Sequence, residues 1–106
     1  MTGLTTHVLD AARGCPAVDV AVRLEGADGG VHTTGRTGGD GRATLASEPL
    51  PEGSYRLVFG SGPYFAARGQ ETFYPEVVVT FTVTAAQRYH VPLLLSPYAY
   101  STYRGS

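Results

Sequence analysis

The stretch Glu76-Val77-Val78-Val79-Thr80-Phe81-Thr82-Val83-Thr84 decides the fold class of this chain. Every residue after Glu76 is β-branched or aromatic, and these residue types favour strands over helices. No Gly or Pro interrupts the run. It is the most strand-prone segment of the sequence, and it sets the expectation for the segments on either side.

Those segments are short, because 14 Gly and seven Pro divide the 106 residues. Alternating patterns and turn residues every 8 to 12 residues are typical of an all-β sandwich. One short helix is expected within 62–70, around 64–68, with Gly69 placed to end it. We predict a single domain over residues 1–106 and eight strands, at 4–10, 18–24, 31–36, 42–45, 55–59, 76–84, 88–95 and 98–104.

The composition narrows the classes of function. A hydrophobic content of 42% and a charged content of 16% are typical of a globular protein. A net charge of −1 gives no reason to expect nucleic acid or an anionic membrane as a partner. All eight basic residues are Arg, so no lysine is available for a Schiff base.

The cysteine content and the N-terminus predict a cytoplasmic protein. The single cysteine, Cys15, cannot form an internal disulfide. The N-terminal residues lack the basic and apolar regions of a signal peptide, and no run reaches the length of a membrane span.

Two histidines and an arginine stand out. His7 lies in the first predicted strand, and Arg42 follows the tight turn Asp40-Gly41. By strand parity His90 shares a face with Arg88, Pro92 and Leu94. Taken singly, such a histidine is more often a hydrogen-bonded structural residue, and an arginine after a turn is usually solvated.

Other site chemistries find less support. Zinc needs a third or fourth ligand at suitable spacing, so we predict no metal. A Ser-His-Asp triad with Ser101 or Ser106 lacks the G-x-S-x-G elbow. The glycine-rich residues 38–42 have neither the phosphate-loop motif nor a following helix.

Three segments together resemble a known family. They are THVLD-x₃-G-x-PA at residues 6–17, Asp40-Gly41-Arg42, and YHVPLLLSPYAYSTYRGS from Tyr89 to the C-terminus. In this order they are similar to the signature segments of the 5-hydroxyisourate hydrolases, the transthyretin-like enzymes of urate breakdown. Transthyretin itself shares segments like VLDAARGCPAVDVAV at residues 8–22 and LLSPYAYST at residues 94–102. Features typical of the enzymes are His7, Arg42, His90 and Tyr103-Arg104-Gly105-Ser106.

The resemblance implies a transthyretin-like sandwich of two four-stranded sheets with one short helix. It also implies a homotetramer, a dimer of dimers with active sites in a channel between the dimers. The reaction would be the hydrolysis of 5-hydroxyisourate to 2-oxo-4-hydroxy-4-carboxy-5-ureidoimidazoline, which needs no cofactor.

The resemblance also implies roles for the site residues. His7 and His90 would activate water and shuttle protons, and either could be the general base. Arg42 and Arg104 would hold the substrate's oxygens. In the tail, Tyr103 would pack on the ring, Gly105 would let the chain turn, and Ser106 would bond through its hydroxyl or its carboxylate. The alternative is a non-catalytic, transthyretin-like carrier of a small aromatic ligand.

Overall fold

The computed structural model describes residues 3–106 as nine strands and one short helix. The elements are β1 (Leu4–Asp10), β2 (Cys15–Pro16), β3 (Ala21–Gly26), β4 (Val31–Arg36), β5 (Arg42–Ala46), β6 (Gly53–Phe59), α1 (Ser61–Ala66), β7 (Val77–Val83), β8 (Tyr89–Ser96) and β9 (Ala99–Thr102).

The strands form two sheets. In the first sheet β1 is central, with β8 parallel to it on one side and β9 beyond β8 at the edge. On its other side β1 pairs with β5 along its first half and with β2 at its end. The second sheet has the antiparallel order β4-β3-β6-β7, so β4 and β7 are its edges. The strand predicted at 31–36 is the edge strand β4.

One hydrophobic core lies between the sheets. The burial of β1 alternates perfectly, and Leu4, Thr6, Val8 and Asp10 point inward while Thr5, His7 and Leu9 are half-buried on the other face. Since side chains alternate across a strand, this outer face of the first sheet is free to carry a site. The second sheet contributes apolar residues such as Leu24, Leu57, Phe59 and Val77 to the same core.

The expected sandwich with one short helix is confirmed, but the first sheet has five strands where four were expected. The additional strand is β2, which lies in a segment expected to be a turn and pairs through only two residues. The strand expected from 18 begins at Ala21, because Asp19 adopts a positive φ of 64° and interrupts the extended backbone. The last strand ends at Thr102 and leaves four residues as a tail.

The helix is tied to β1 through a buried hydrogen bond. Tyr64 Oη donates to Oδ2 of the fully buried Asp10, at 2.7 Å. Burial first, and then this bond, raise the pKa of Tyr64 to about 12, so the phenol stays a donor. The helix begins and ends earlier than predicted, and Gly69, with φ of 67°, lies three residues after its last residue, Ala66.

Candidate active site

His90 stands on the outer face of the first sheet, beside the central strand. It is half-buried and pairs in register with Thr5 of β1. Thr5 Oγ1 lies 2.8 Å from His90 Nδ1. Because one ring nitrogen is engaged, the orientation of the imidazole is fixed and Nε2 is the nitrogen left for another partner.

A glycine turn places Arg42 across from His7. Gly41 has a φ of 79°, and a Cβ there would lie 2.5 Å from the Val8 carbonyl oxygen, so only glycine fits. The Gly41 carbonyl accepts a hydrogen bond from the Val8 N–H, which locks the turn onto β1. Arg42 then begins β5 in register with His7, and its Nε lies 3.8 Å from Asp40 Oδ2.

The C-terminal tail closes against the other side of His90. The Gly105 N–H donates to the His90 carbonyl oxygen at 2.8 Å, which forms an isolated bridge beyond β9. A Cβ on Gly105 would lie 2.5 Å from His90 Cδ2 and 3.0 Å from Pro92 Cγ. Glycine is therefore required for space, and the tail is packed on the histidine ring.

His90 lines three open depressions, and two of them are also lined by Arg88 and Ser106. The first, which we call the His90 depression, has a volume of about 290 Å³ and is lined by Thr5, Thr6, Arg42, Ala43, Thr44, Arg88, His90 and Ser106. The second, the tail depression, has about 730 Å³ and is lined by Gln87, Arg88, His90, Arg104, Gly105 and Ser106. His90, Arg88 and Ser106 line both.

The predicted residues are brought together to different degrees. His90, Arg42 and Ser106 share the His90 depression. His7 does not line it, but lies next to it through its register with Arg42 and Pro92.

Tyr103 and Arg104 face a different space. The Arg104 guanidinium carbon lies 4.8 Å from the centre of the Tyr89 ring, an arrangement that gives a cation–π contact. Both tail residues line a crevice of about 230 Å³ with Val79, Phe81 and Tyr89, between the edges of the two sheets. Arg104 also reaches the tail depression, whereas Tyr103, 60% exposed, does not line it.

The electrostatics favour a neutral His90. Partial burial, followed by the nearby positive charges of Arg42 and His7, lowers the pKa of His90 below its usual 6.5; Arg88 adds to this, and the contact with Thr5 opposes it. A histidine that is uncharged at neutral pH can accept a proton from water.

Cys15 lines neither of the two depressions at His90. Cys15 is an exposed free thiol in β2. Among residues 3–106 no three His, Cys, Asp or Glu side chains are grouped so that they could hold a metal ion. Within the same residues no helix is long and apolar enough to span a membrane.

Two site residues were given no role by sequence reasoning. Thr5, the partner of the His90 ring, lies two residues before His7 and therefore on its face of β1. Arg88 was placed on the face of His90 by parity but was not assigned to the site. The signal for both was strand alternation, which becomes informative only when the pairing of β1 with β8 is known.

Comparison with known proteins agrees with the geometry. Residues 4–105 match the model of the HIUase/transthyretin family. A 5-hydroxyisourate hydrolase of Caulobacter vibrioides is 50% identical over 115 residues, which cover 100% of both chains. One from Mus musculus is 46% identical over 97% of this chain and 94% of its own.

A solved structure supports the fold. The 5-hydroxyisourate hydrolase of Klebsiella pneumoniae superposes with a TM-score of 0.91 at 37% sequence identity, over 99% of this chain and 100% of that one. The transthyretin-like sandwich expected from the sequence is therefore confirmed.

Proposed function

The chain belongs to the HIUase/transthyretin family, and from that premise we propose that it hydrolyses 5-hydroxyisourate at the His90 depression. The product is 2-oxo-4-hydroxy-4-carboxy-5-ureidoimidazoline, in urate degradation. One observation supports this choice of site. His90, Arg42 and Ser106 come from separate segments of the chain, and all three line the same depression. The names of the relatives do not favour the carrier alternative.

His90 is the general base in this proposal. For Nε2 to accept a proton from water, the neutral ring must carry its own proton on Nδ1 and donate it to Thr5 Oγ1, 2.8 Å away. Thr5 thus selects the tautomer and supports the imidazolium that forms. The lowered pKa of His90 keeps the base unprotonated at neutral pH.

The hydrolysis then runs in two steps. The water oxygen attacks the ring carbonyl carbon while its proton passes to His90 Nε2, and the carbonyl becomes an oxyanion that the Arg42 guanidinium stabilises. The oxyanion collapses, the adjacent C–N bond breaks, and the leaving nitrogen takes the proton from the imidazolium. The single product is the ring-opened molecule, whose new carboxylic acid ionises, so neither redox chemistry nor a cofactor is needed.

His7 and the tail complete the site in the proposal. His7, in register with Arg42, adds a second proton carrier beside the first. Ser106 supplies a hydroxyl or its terminal carboxylate at the mouth of both depressions. Arg104 and Tyr103 take the roles of substrate-oxygen donor and ring platform when their side chains turn from the Tyr89 crevice toward the depressions.

The active unit in this proposal is a homotetramer, a dimer of dimers. The edge strands β7 and β9 have no partner on their outer sides within residues 3–106. Val78, Tyr98, Tyr100 and Tyr103 on or next to these edges are exposed. Edge strands and exposed aromatic side chains are surfaces that association with a second copy would cover.

The test is the decay of freshly generated 5-hydroxyisourate with and without protein. The wild-type protein should accelerate the decay, and His90→Gln and His7→Gln should each lower turnover by roughly 10²- to 10⁴-fold, the usual effect of losing a general acid or base. His32→Gln is the matched control, since His32 is exposed on the edge strand β4. Ligand binding without accelerated decay would identify a carrier, and wild-type turnover in either variant would remove that histidine from the mechanism.

A further inference from the structure

Arg88 occupies a position that the mechanism above does not use. It immediately precedes β8, two residues before His90 and on the same face. It lines both the His90 depression and the tail depression, which only His90 and Ser106 also do. Its charge is near enough to contribute to the lowered pKa of His90.

Arg88 also lacks a structural partner. Among residues 3–106, the side chains of Arg23, Arg36, Arg42 and Arg56 approach carboxylates, Arg68 bonds to the Tyr64 carbonyl oxygen, and Arg104 lies over Tyr89. Arg13 and Arg88 have no side-chain hydrogen bond or ion pair within that range. Of these two, only Arg88 faces His90.

The charges around His90 are unbalanced. Arg42, Arg88 and Arg104 line the two depressions, and no Asp or Glu among residues 3–106 does. On a chain whose net charge is −1, this is a local positive region that a bound anion would neutralise.

The reaction supplies such an anion, because opening the ring converts a carbonyl into a carboxylate. We propose that Arg88 is a substrate-binding residue of this site: its guanidinium binds oxygens of the substrate and the carboxylate of the product, while Arg42 stabilises the oxyanion at the reacting carbon. The assignment of the reacting groups rests on the proposed function. Arg88 thereby governs affinity, and Arg42 governs the chemical step.

The decisive variants are Arg88→Gln and Arg88→Lys, with Arg13→Gln as the control. Like Arg88, Arg13 is exposed and makes no side-chain hydrogen bond or ion pair among residues 3–106. It follows the C-terminal end of β1, whereas Arg88 lies beside the N-terminal end. Arg88→Gln should raise KM about tenfold and leave kcat within about threefold, because a charge-assisted hydrogen bond present in both ground and transition states is lost. It should also weaken the dependence of kcat/KM on salt. Arg88→Lys keeps the charge and should retain most of the affinity, and Arg13→Gln should behave as wild type.

A readout on His90 separates binding from a merely structural role. Removing the positive charge at 88 should move the acid limb of kcat/KM to higher pH in Arg88→Gln, because His90 then takes up a proton more easily, and not in Arg88→Lys. The inference is wrong if Arg88→Gln keeps the wild-type KM. It is also wrong if Arg88→Lys raises KM as much as Arg88→Gln does and both variants unfold at a lower temperature than the wild type.

Binding of urate, an unreactive anionic relative of the substrate, tests Arg88 without catalysis. Calorimetric titration should show binding to the wild-type protein and about tenfold weaker binding to Arg88→Gln. Equal affinities, or no binding of urate to the wild type, would overturn the role of Arg88. A wild-type protein that binds urate through Arg88 and leaves the decay of 5-hydroxyisourate unchanged would instead contradict the proposed reaction.

Discussion

At the scale of single residues, the protonation of His90 decides the pH range of the reaction. Burial and the charges of Arg42 and His7 lower its pKa below 6.5. A base with a lowered pKa stays neutral to lower pH, so the midpoint of the acid limb of kcat/KM should lie below 6.5. A pH profile of kcat/KM for 5-hydroxyisourate measures this directly. The acid limb of this profile should move to higher pH in Arg42→Gln, because that change removes a positive charge near His90. An acid limb of the wild-type protein with its midpoint above pH 6.5 would contradict the assignment of His90 as the base.

Single residues also show what could be predicted from the sequence. The local pattern predicts that His90 lies in a strand and that Arg42 follows a glycine turn, and the structure has both there; their roles in the site are predicted by the family resemblance and not by the local pattern. The position of Arg104 could not be predicted, because it depends on the Tyr89 ring, a core residue whose distance from the tail is set by the pairing of β8 with β9. The local sequence is enough to predict a turn, whereas the position of a flexible side chain such as that of Arg104 depends on its tertiary contact with Tyr89.

At the scale of elements, Gly105 should be intolerant of a side chain. Its Cβ would approach His90 Cδ2 to 2.5 Å, so Gly105→Ala must displace the ring or the tail and disturb the 2.8 Å contact between His90 and Thr5. A displacement of about 1 Å in a catalytic group can lower turnover by roughly 10²-fold. We expect a loss of kcat of that order with the fold retained.

Gly39→Ala is the matched control for this substitution. A Cβ on Gly39 meets no atom within 4 Å. Its kcat and its unfolding temperature should therefore stay near those of the wild type. Normal kcat in Gly105→Ala would show that the tail does not position His90.

The elements themselves were predicted unevenly. β1 and β4 have the predicted bounds; burial alternates through all of β1 and through β4 from His32 onward. β2 was missed because two residues carry no periodicity, and its strand character comes from pairing with Leu9 and Asp10. The start of β3 was placed too early because the positive φ of Asp19 leaves no trace in the apolar alternation that begins at Val18.

At the scale of the whole molecule, the edges of the sandwich and the tail make separable contributions. The core and the edge strands β7 and β9 lie within residues 3–102. The tail contributes the Gly105 bridge, the contact of Arg104 with Tyr89, and Ser106 at the depressions. Association should thus depend on the strands and catalysis on the last four residues.

A chain that ends at Thr102 tests this separation. It should elute with the wild-type protein as a tetramer, four chains of 11.2 kDa or about 45 kDa by light scattering, because the edges are intact. It should not accelerate the decay of 5-hydroxyisourate, because the ring of His90 loses the tail that packs on it. A peptide tag after Ser106 should also inhibit catalysis, since the added residues would start at the depressions that Ser106 lines. The same tag before Met1 should inhibit catalysis less. Full activity of the truncated chain would show that the tail is no part of the site, and a monomeric wild-type protein would contradict the assembly.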